Sequence, residues 1–253
     1  MDLLAFVAIG VALGVALGLF GGGGGILAIP LLVTAGVPAD EAGTTSLIVV
    51  GIGAIGGLIP HARAGRVAWG QGATFGALGV LGAVAGSRLA LVTDDALQLW
   101  GFAVVLVVAG SLMLRRALRS APSGDLPPAD RERRSWPLIV VTAAAVGLFT
   151  GFFGVGGGFL VVPALTLVMG MAVHRATATA LLVIVINSAA AFVPRAGEAL
   201  DTQVAVVVSI SVLLASAVAA RWSNRWSERS LGLGFSVLVL SMAVLTVAHA
   251  INA

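Results

Sequence analysis

A glycine-rich decapeptide occurs twice in this chain, each time inside apolar sequence, and it limits the possible folds more than any other segment. The first copy is Gly21-Gly22-Gly23-Gly24-Gly25-Ile26-Leu27-Ala28-Ile29-Pro30. The second is Gly154-Val155-Gly156-Gly157-Gly158-Phe159-Leu160-Val161-Val162-Pro163. Both fit G-x-G-G-G-x-L-x-x-P, both follow a Phe (Phe20, Phe153), and a single offset of 133 residues relates them. At the same offset Gly14 and Gly18 match Gly147 and Gly151. Glycine runs are costly inside helices, so each cluster reads as a break in a membrane helix.

The surrounding sequence supports a membrane setting. Of 253 residues, 59% are hydrophobic and 10% charged, and apolar runs of spanning length recur throughout. Cysteine is absent, which excludes disulfides and thiolate metal sites. Lysine is absent too, which excludes a Walker-type phosphate loop and a Schiff-base lysine. Residues 1–20 begin Met1-Asp2 with no basic region, so they read as a retained membrane segment rather than a signal peptide.

The stretch Leu3 to Val37 is too long for one span. As a single helix it measures about 52 Å, against a hydrocarbon core ~30 Å thick. A hairpin broken at the glycines fits better, with arms Leu3–Phe20 and Ile26–Gly36. Three further segments follow, Gly43–Pro60, Val67–Val92 and Ala96–Leu114. A polar linker, Arg115–Trp136, carries Pro122, Pro127, Pro128 and six Arg. The pattern then returns as Pro137–Phe153, Phe159–Met171, Ala176–Pro194, Gln203–Ala220 and Leu231–Ile251. Ala42-Gly43-Thr44-Thr45-Ser46-Leu47 matches Ala176-Thr177-Ala178-Thr179-Ala180-Leu181, and Pro60 matches Pro194, at an offset of 134. The expected organisation is therefore a first membrane repeat over 1–114, a cytoplasmic linker over 115–136 and a second repeat over 137–253.

Arginine placement supports the hairpin. With the linker cytoplasmic and a hairpin at each glycine break, 12 of 14 Arg fall inside; only Arg88 and Arg195 fall outside. If each broken stretch crossed once, the split would be 9 to 5. Each half then crosses an odd number of times, so the second is inverted relative to the first. The expected fold is an all-α polytopic membrane protein with two inverted repeats, each a glycine-broken helical hairpin plus three transmembrane helices.

A helix that starts at a glycine break presents unpaired N–H groups and a partial positive charge to the gap. That chemistry favours an anion near the midplane. The candidate substrate-binding residues are Gly21, Gly22, Gly23, Gly24, Gly25, Gly154, Gly156, Gly157 and Gly158. A methyl at Gly24 or Gly157 is expected to oppose the anion. Thr44, Thr45, Ser46, Thr177 and Thr179 start the third segment of each half and could line a polar path. Asn187 sits mid-segment, where a bare amide is costly without a partner. The competing reading is that the glycines allow close helix packing and that the hydroxyls bond back to helix carbonyls. His61 and Arg195 follow the aligned prolines and read as interfacial anchors; His61 could also couple protons. Arg88 reads as a snorkelling side chain, and Trp69, Trp136, Trp222 and Trp226 as an aromatic belt. No Gly-x-Ser-x-Gly, His-Glu-x-x-His or complete dinucleotide fingerprint is present, so the chain is not expected to be an enzyme.

The duplicated glycine-proline motif, followed by Ala-x-x-Thr-[SA]-Leu, resembles the sulfite exporter TauE/SafE family over both halves. The resemblance implies a multi-pass inner-membrane transporter of sulfur-containing anions such as sulfite, sulfoacetate or other organosulfonates. It departs from strict symmetry at Ser46, which is Ala180 in the second copy. Expected partners are a small anionic substrate, the lipid bilayer and a proton as candidate coupling ion. No cofactor, metal or nucleic acid is expected. A passive anion channel and a divalent-metal transporter remain alternatives; the lack of mid-membrane Asp, Glu or His weighs against the metal.

Overall fold

The structure, a computed structural model, describes residues 3–119, 136–154, 158–198 and 200–252. Gly156, Gly157 and most of the expected linker lie outside the described residues. Among the described residues ten α-helices follow in order: α1 Leu3–Phe20, α2 Gly23–Thr34, α3 Ala39–Arg63, α4 Trp69–Ala90 and α5 Asp95–Arg119, then α6 Trp136–Phe153, α7 Gly158–Pro163, α8 Val173–Phe192, α9 Thr202–Trp222 and α10 Glu228–Asn252. No strand occurs among the described residues. Among the described residues seven helices are long and apolar enough to cross a membrane: α1, α3, α4, α5, α8, α9 and α10. The shorter apolar helices include α2, and α7 with its extension.

Local chemistry explains the short arms. α2 has 12 residues, about 18 Å. Its true break is narrower than the glycine run suggests: only Gly21 and Gly22 are non-helical, and Gly23, Gly24 and Gly25 form the first turn of α2. Their helical state comes from burial, which outweighs a propensity cost of about 1 kcal/mol each. In the second half, α7 passes at Pro163 into a π-helical turn, Ala164–Val168. Thr166 Oγ1 donates back to the Val162 carbonyl at 2.8 Å. Arg116 Nη1 then donates to the Thr166 carbonyl at 2.6 Å, satisfying an oxygen at the end of this arm.

Glycines also set the helix pairing. On α1, Gly10, Gly14 and Gly18 face Val208–Ser211, Val212–Ser216 and Ser216–Ala220 of α9 in rising order, so the two helices run parallel. On α4 and α6, Gly79, Gly82 and Gly86 face Ala143, Ala144–Leu148 and Leu148–Phe152, again parallel. A Cβ at Gly10, Gly14, Gly18, Gly82 or Gly86 would overlap partner atoms, and one at Gly79 would press on the Asn187 amide, so the close approach depends on glycine. The 133-residue offset maps one interface onto the other. α3 pairs with α9 as α8 pairs with α4, and α3–α8, α5–α10 and α2–α7 pair with their own counterparts.

Direction follows from the same contacts. Gly43 faces Arg195, Gly51 faces Ser188 and Gly57 faces Leu181, so α3 and α8 are antiparallel. Gly110 faces Leu240 and Gly232 faces Ala117, so α5 and α10 are antiparallel as well. The ends of α3 and α9 meet where Arg66 Nη1 donates to Ser223 Oγ at 3.3 Å; desolvation at this site holds the Arg66 guanidinium below its ordinary value. Since α1 and α3 both start at the end where α9 starts, α2 must carry the chain back. The hairpin is real in the fold.

α3 and α8 form the centre, with 67% and 61% of their spans buried against 33–44% for the others. Large apolar side chains such as Leu4, Leu81, Val104, Leu214 and Val244 are exposed around the outside, the surface a bilayer covers. Arg63, Arg66, Arg115, Arg175, Arg221, Arg225 and Arg229 lie at helix ends or loops on one side of the bundle; Arg88 and Arg195 lie at the other. Trp69 and Trp222 are exposed at helix ends on the arginine-rich side.

Candidate functional site

The two glycine breaks meet in the middle of the molecule. A Cβ on Gly22 would overlap the Gly158 carbonyl, and one on Gly158 would lie 2.7 Å from the Gly22 Cα. Gly21 (φ 70°) and Gly154 (φ 63°) both adopt the left-handed conformation, at equivalent positions. Gly21 abuts the Thr177 backbone and Gly154 abuts Gly43, which are themselves equivalent. The neighbouring glycines point elsewhere: Gly23 toward Leu238 on α10, Gly24 toward Leu13 and Leu17 on α1. A methyl at Gly24 therefore meets α1, not the space between the breaks. Phe153 and Phe159 flank the second break and both pack on Phe102, with ring centroids 5.2 and 5.6 Å away.

Beside the breaks, α3 and α8 bury a set of polar groups. Asn187 is fully buried and neither its Oδ1 nor its Nδ2 has a hydrogen-bond partner. Its amide fills the notch over Gly79, where a Cβ would sit 3.0 Å from both atoms. At the equivalent place in the first half the notch is reversed: Gly53 lies opposite Val212. The two sites are thus filled alike in volume, and only one is polar. Thr45 Oγ1 and Ser188 Oγ are also buried and unpartnered. Thr179, the equivalent of Thr45, instead accepts from the Ala68 N–H at 3.1 Å. Thr177 is buried against Gly21.

At the arginine-poor end a second polar cluster closes around Arg195. It is buried, not snorkelling at an interface, and the anchor reading is corrected here. Arg195 Nε donates to Ser87 Oγ at 3.0 Å, and Nη2 to the Gly151 carbonyl at 3.4 Å. Ser87 Oγ donates onward to the Ala191 carbonyl at 2.9 Å. Ser46 Oγ contacts the Gly154 carbonyl, and Thr44 Oγ1 donates to Glu198 Oε2. His61, the counterpart of Arg195, is likewise buried, and its Nε2 lies 3.4 Å from the Gly18 carbonyl. Gly18 is the counterpart of Gly151, so the two side chains occupy one position of the repeat. Sequence reasoning singled out Thr44 and Ser46 but missed that Arg195, Ser87 and Glu198 join them. The 134-residue offset that pairs Pro60 with Pro194 also pairs His61 with Arg195, and that signal was available.

The sulfite exporter TauE/SafE family model matches residues 6–246, nearly the whole chain. The chain belongs to that family. Two Xylella fastidiosa proteins, each named "Probable membrane transporter protein", are 34% identical over 188 residues, 72% of this chain and 70% of theirs. A Methanocaldococcus jannaschii protein with the same style of name is 28% identical over 189 residues, 72% of this chain and 68% of its own. No solved structure matches. A TauE/SafE member with seven spanning helices is a multi-pass membrane protein, and its family and relatives make it a membrane transporter. The glycine breaks that carried the resemblance are the segments that meet at the centre of this TauE/SafE fold.

Proposed function

We propose that the protein is a secondary transporter that exports sulfur-containing anions, such as sulfite, sulfoacetate or other organosulfonates. The observation that carries the reading is the meeting of two equivalent glycine breaks at Gly22 and Gly158, with unpartnered Thr45 and Asn187 on α3 and α8, the helices that pack on the two short arms. Backbone N–H groups and neutral donors at a helix break suit an oxyanion. The buried cation at Arg195, with no lysine in the chain, suits the same charge. Binding in this reading involves the backbone of Gly21–Gly25, Gly154 and Gly156–Gly158 and the side chains of Thr44, Thr45, Ser46, Thr177, Thr179 and Asn187. The antiparallel pairing of α3 with α8 and of α5 with α10 supports oppositely inserted halves. The arginine-rich end faces the cytoplasm under the positive-inside rule.

Purified full chain in liposomes tests this directly. Flux of radiolabelled sulfite and sulfoacetate is measured with and without an imposed pH gradient. A secondary transporter accumulates its substrate against a concentration difference when the gradient is applied; a passive channel only equilibrates it. Flux equal to protein-free liposomes for every sulfur anion tested would overturn the proposal.

A further inference from the structure

The two ends of the repeat differ in one chemical respect. Arg195 and His61 occupy the same position of the repeat but carry different side chains. Opposite Arg195 stands Gly43; its counterpart in the other half is Thr177. Arg195 Nη1 lies in the space a side chain at Gly43 would fill, 2.8 Å from a Cβ built there and 3.6 Å from one built at Gly154. Nε and Nη2 are committed to Ser87 and Gly151, and Nη1 has no partner among the described residues. A guanidinium held on two sides, with its third nitrogen lying against Gly43 and Gly154 where no side chain intervenes, keeps donors for an external acceptor. Its nearest acidic neighbour is Glu198, whose backbone N–H already bonds the Arg195 carbonyl at 3.0 Å. Glu198 is half-buried, and its carboxylate is held at the start of α3 by Thr44.

We infer that Arg195 binds the transported anion at the arginine-poor end through Nη1, and that Glu198 is an internal anion that competes for this position. The ligand class is a small oxyanion, which needs to offer only one acceptor oxygen to Nη1. When the site is empty, Glu198 balances the buried charge and Thr44 keeps it in place. An arriving oxyanion satisfies Nη1, and Glu198 turns out to solvent from the exposed Ala196–Gly197 turn. Ser87 is a positioning residue: its hydroxyl links the guanidinium to the Ala191 carbonyl on α8. The inference rests on the anion-transport reading but names a residue that the glycine breaks do not supply.

Two measurements on the full chain in liposomes test it. Glu198→Gln keeps the shape and the acceptor for Thr44 while removing the competing charge. Sulfite flux in this variant is expected to show a KM lowered about three- to tenfold, the effect of deleting one unit charge beside a partly solvated site. The second measurement does not depend on knowing the substrate. A single cysteine at exposed Ala196 is labelled with a thiosulfonate reagent in the presence of sulfoacetate, sulfate or phosphate. At least one oxyanion is expected to slow labelling, more strongly with Glu198→Gln added and not at all with Arg195→Gln. Labelling unaffected by any oxyanion, or protection that persists in a folded Arg195→Gln protein, would overturn the inference. If no sulfur anion is transported but another oxyanion protects Cys-labelled protein through Arg195, the substrate reading fails and this inference stands. If Arg195→Gln does not fold, Glu198→Gln decides alone: an unchanged KM and unchanged protection refute the competition.

Discussion

Replacing Asn187 by Leu should stabilise the resting protein and impair transport. Leu has nearly the shape of Asn, so the notch over Gly79 stays filled, while both amide atoms are removed. Those atoms are buried without partners. An unsatisfied buried donor or acceptor costs about 1–3 kcal/mol, and replacement by an apolar group of the same shape relieves it. Slight overpacking against Gly79 offsets part of this, at about 1 kcal/mol for a near-isosteric exchange. With two such atoms relieved and that offset subtracted, the expected net gain is about 1–5 kcal/mol, and in a soluble domain of this size each kcal/mol raises Tm by about 2–4 °C. If the amide is kept for a ligand, flux should fall at least about tenfold, the loss of one good hydrogen bond to a charged group. Thermal unfolding in detergent and liposome flux are measured on the same preparation. A lowered Tm would show that Asn187 is bonded in the resting state and sink the energetic argument. A raised Tm with unchanged flux would remove Asn187 from the pathway.

Other outcomes follow from the same geometry. Gly22→Ala places a methyl on the Gly158 carbonyl, and overpacking of this kind costs about 1–3 kcal/mol; Tm should fall, and an unchanged Tm would mean the breaks do not touch. Gly24→Ala meets α1 instead, so it should lower stability without changing the substrate affinity of folded protein, read by flux KM. A cysteine at Ser123 should resist an impermeant thiol reagent in intact cells and react after permeabilisation, because the arginine-rich end is cytoplasmic in our reading; the native chain contributes no background thiol.

Much of the architecture was legible because membrane folding depends on quantities a sequence carries directly. Span length, arginine asymmetry and the two offsets were enough to divide the chain into matched halves and to expect a hairpin at each glycine run. The end of α1 at Phe20 was readable from the glycine that follows. The start of α2 was not: Gly23–Gly25 are helical because α1 and α10 pack over them, and local propensity alone argues the opposite. Likewise a histidine or arginine after a membrane proline usually reaches for the interface. His61 and Arg195 turn inward because carbonyls of α1 and α6 lie within reach, and that depends on how the helices cross. The sequence by itself determined that a glycine-rich break occurs twice and where the polar residues fall along the chain. Only the tertiary structure decided which of those residues face one another, since helix crossing and direction, not spacing, put Gly22 on Gly158, Asn187 over Gly79 and Arg195 beside Gly43.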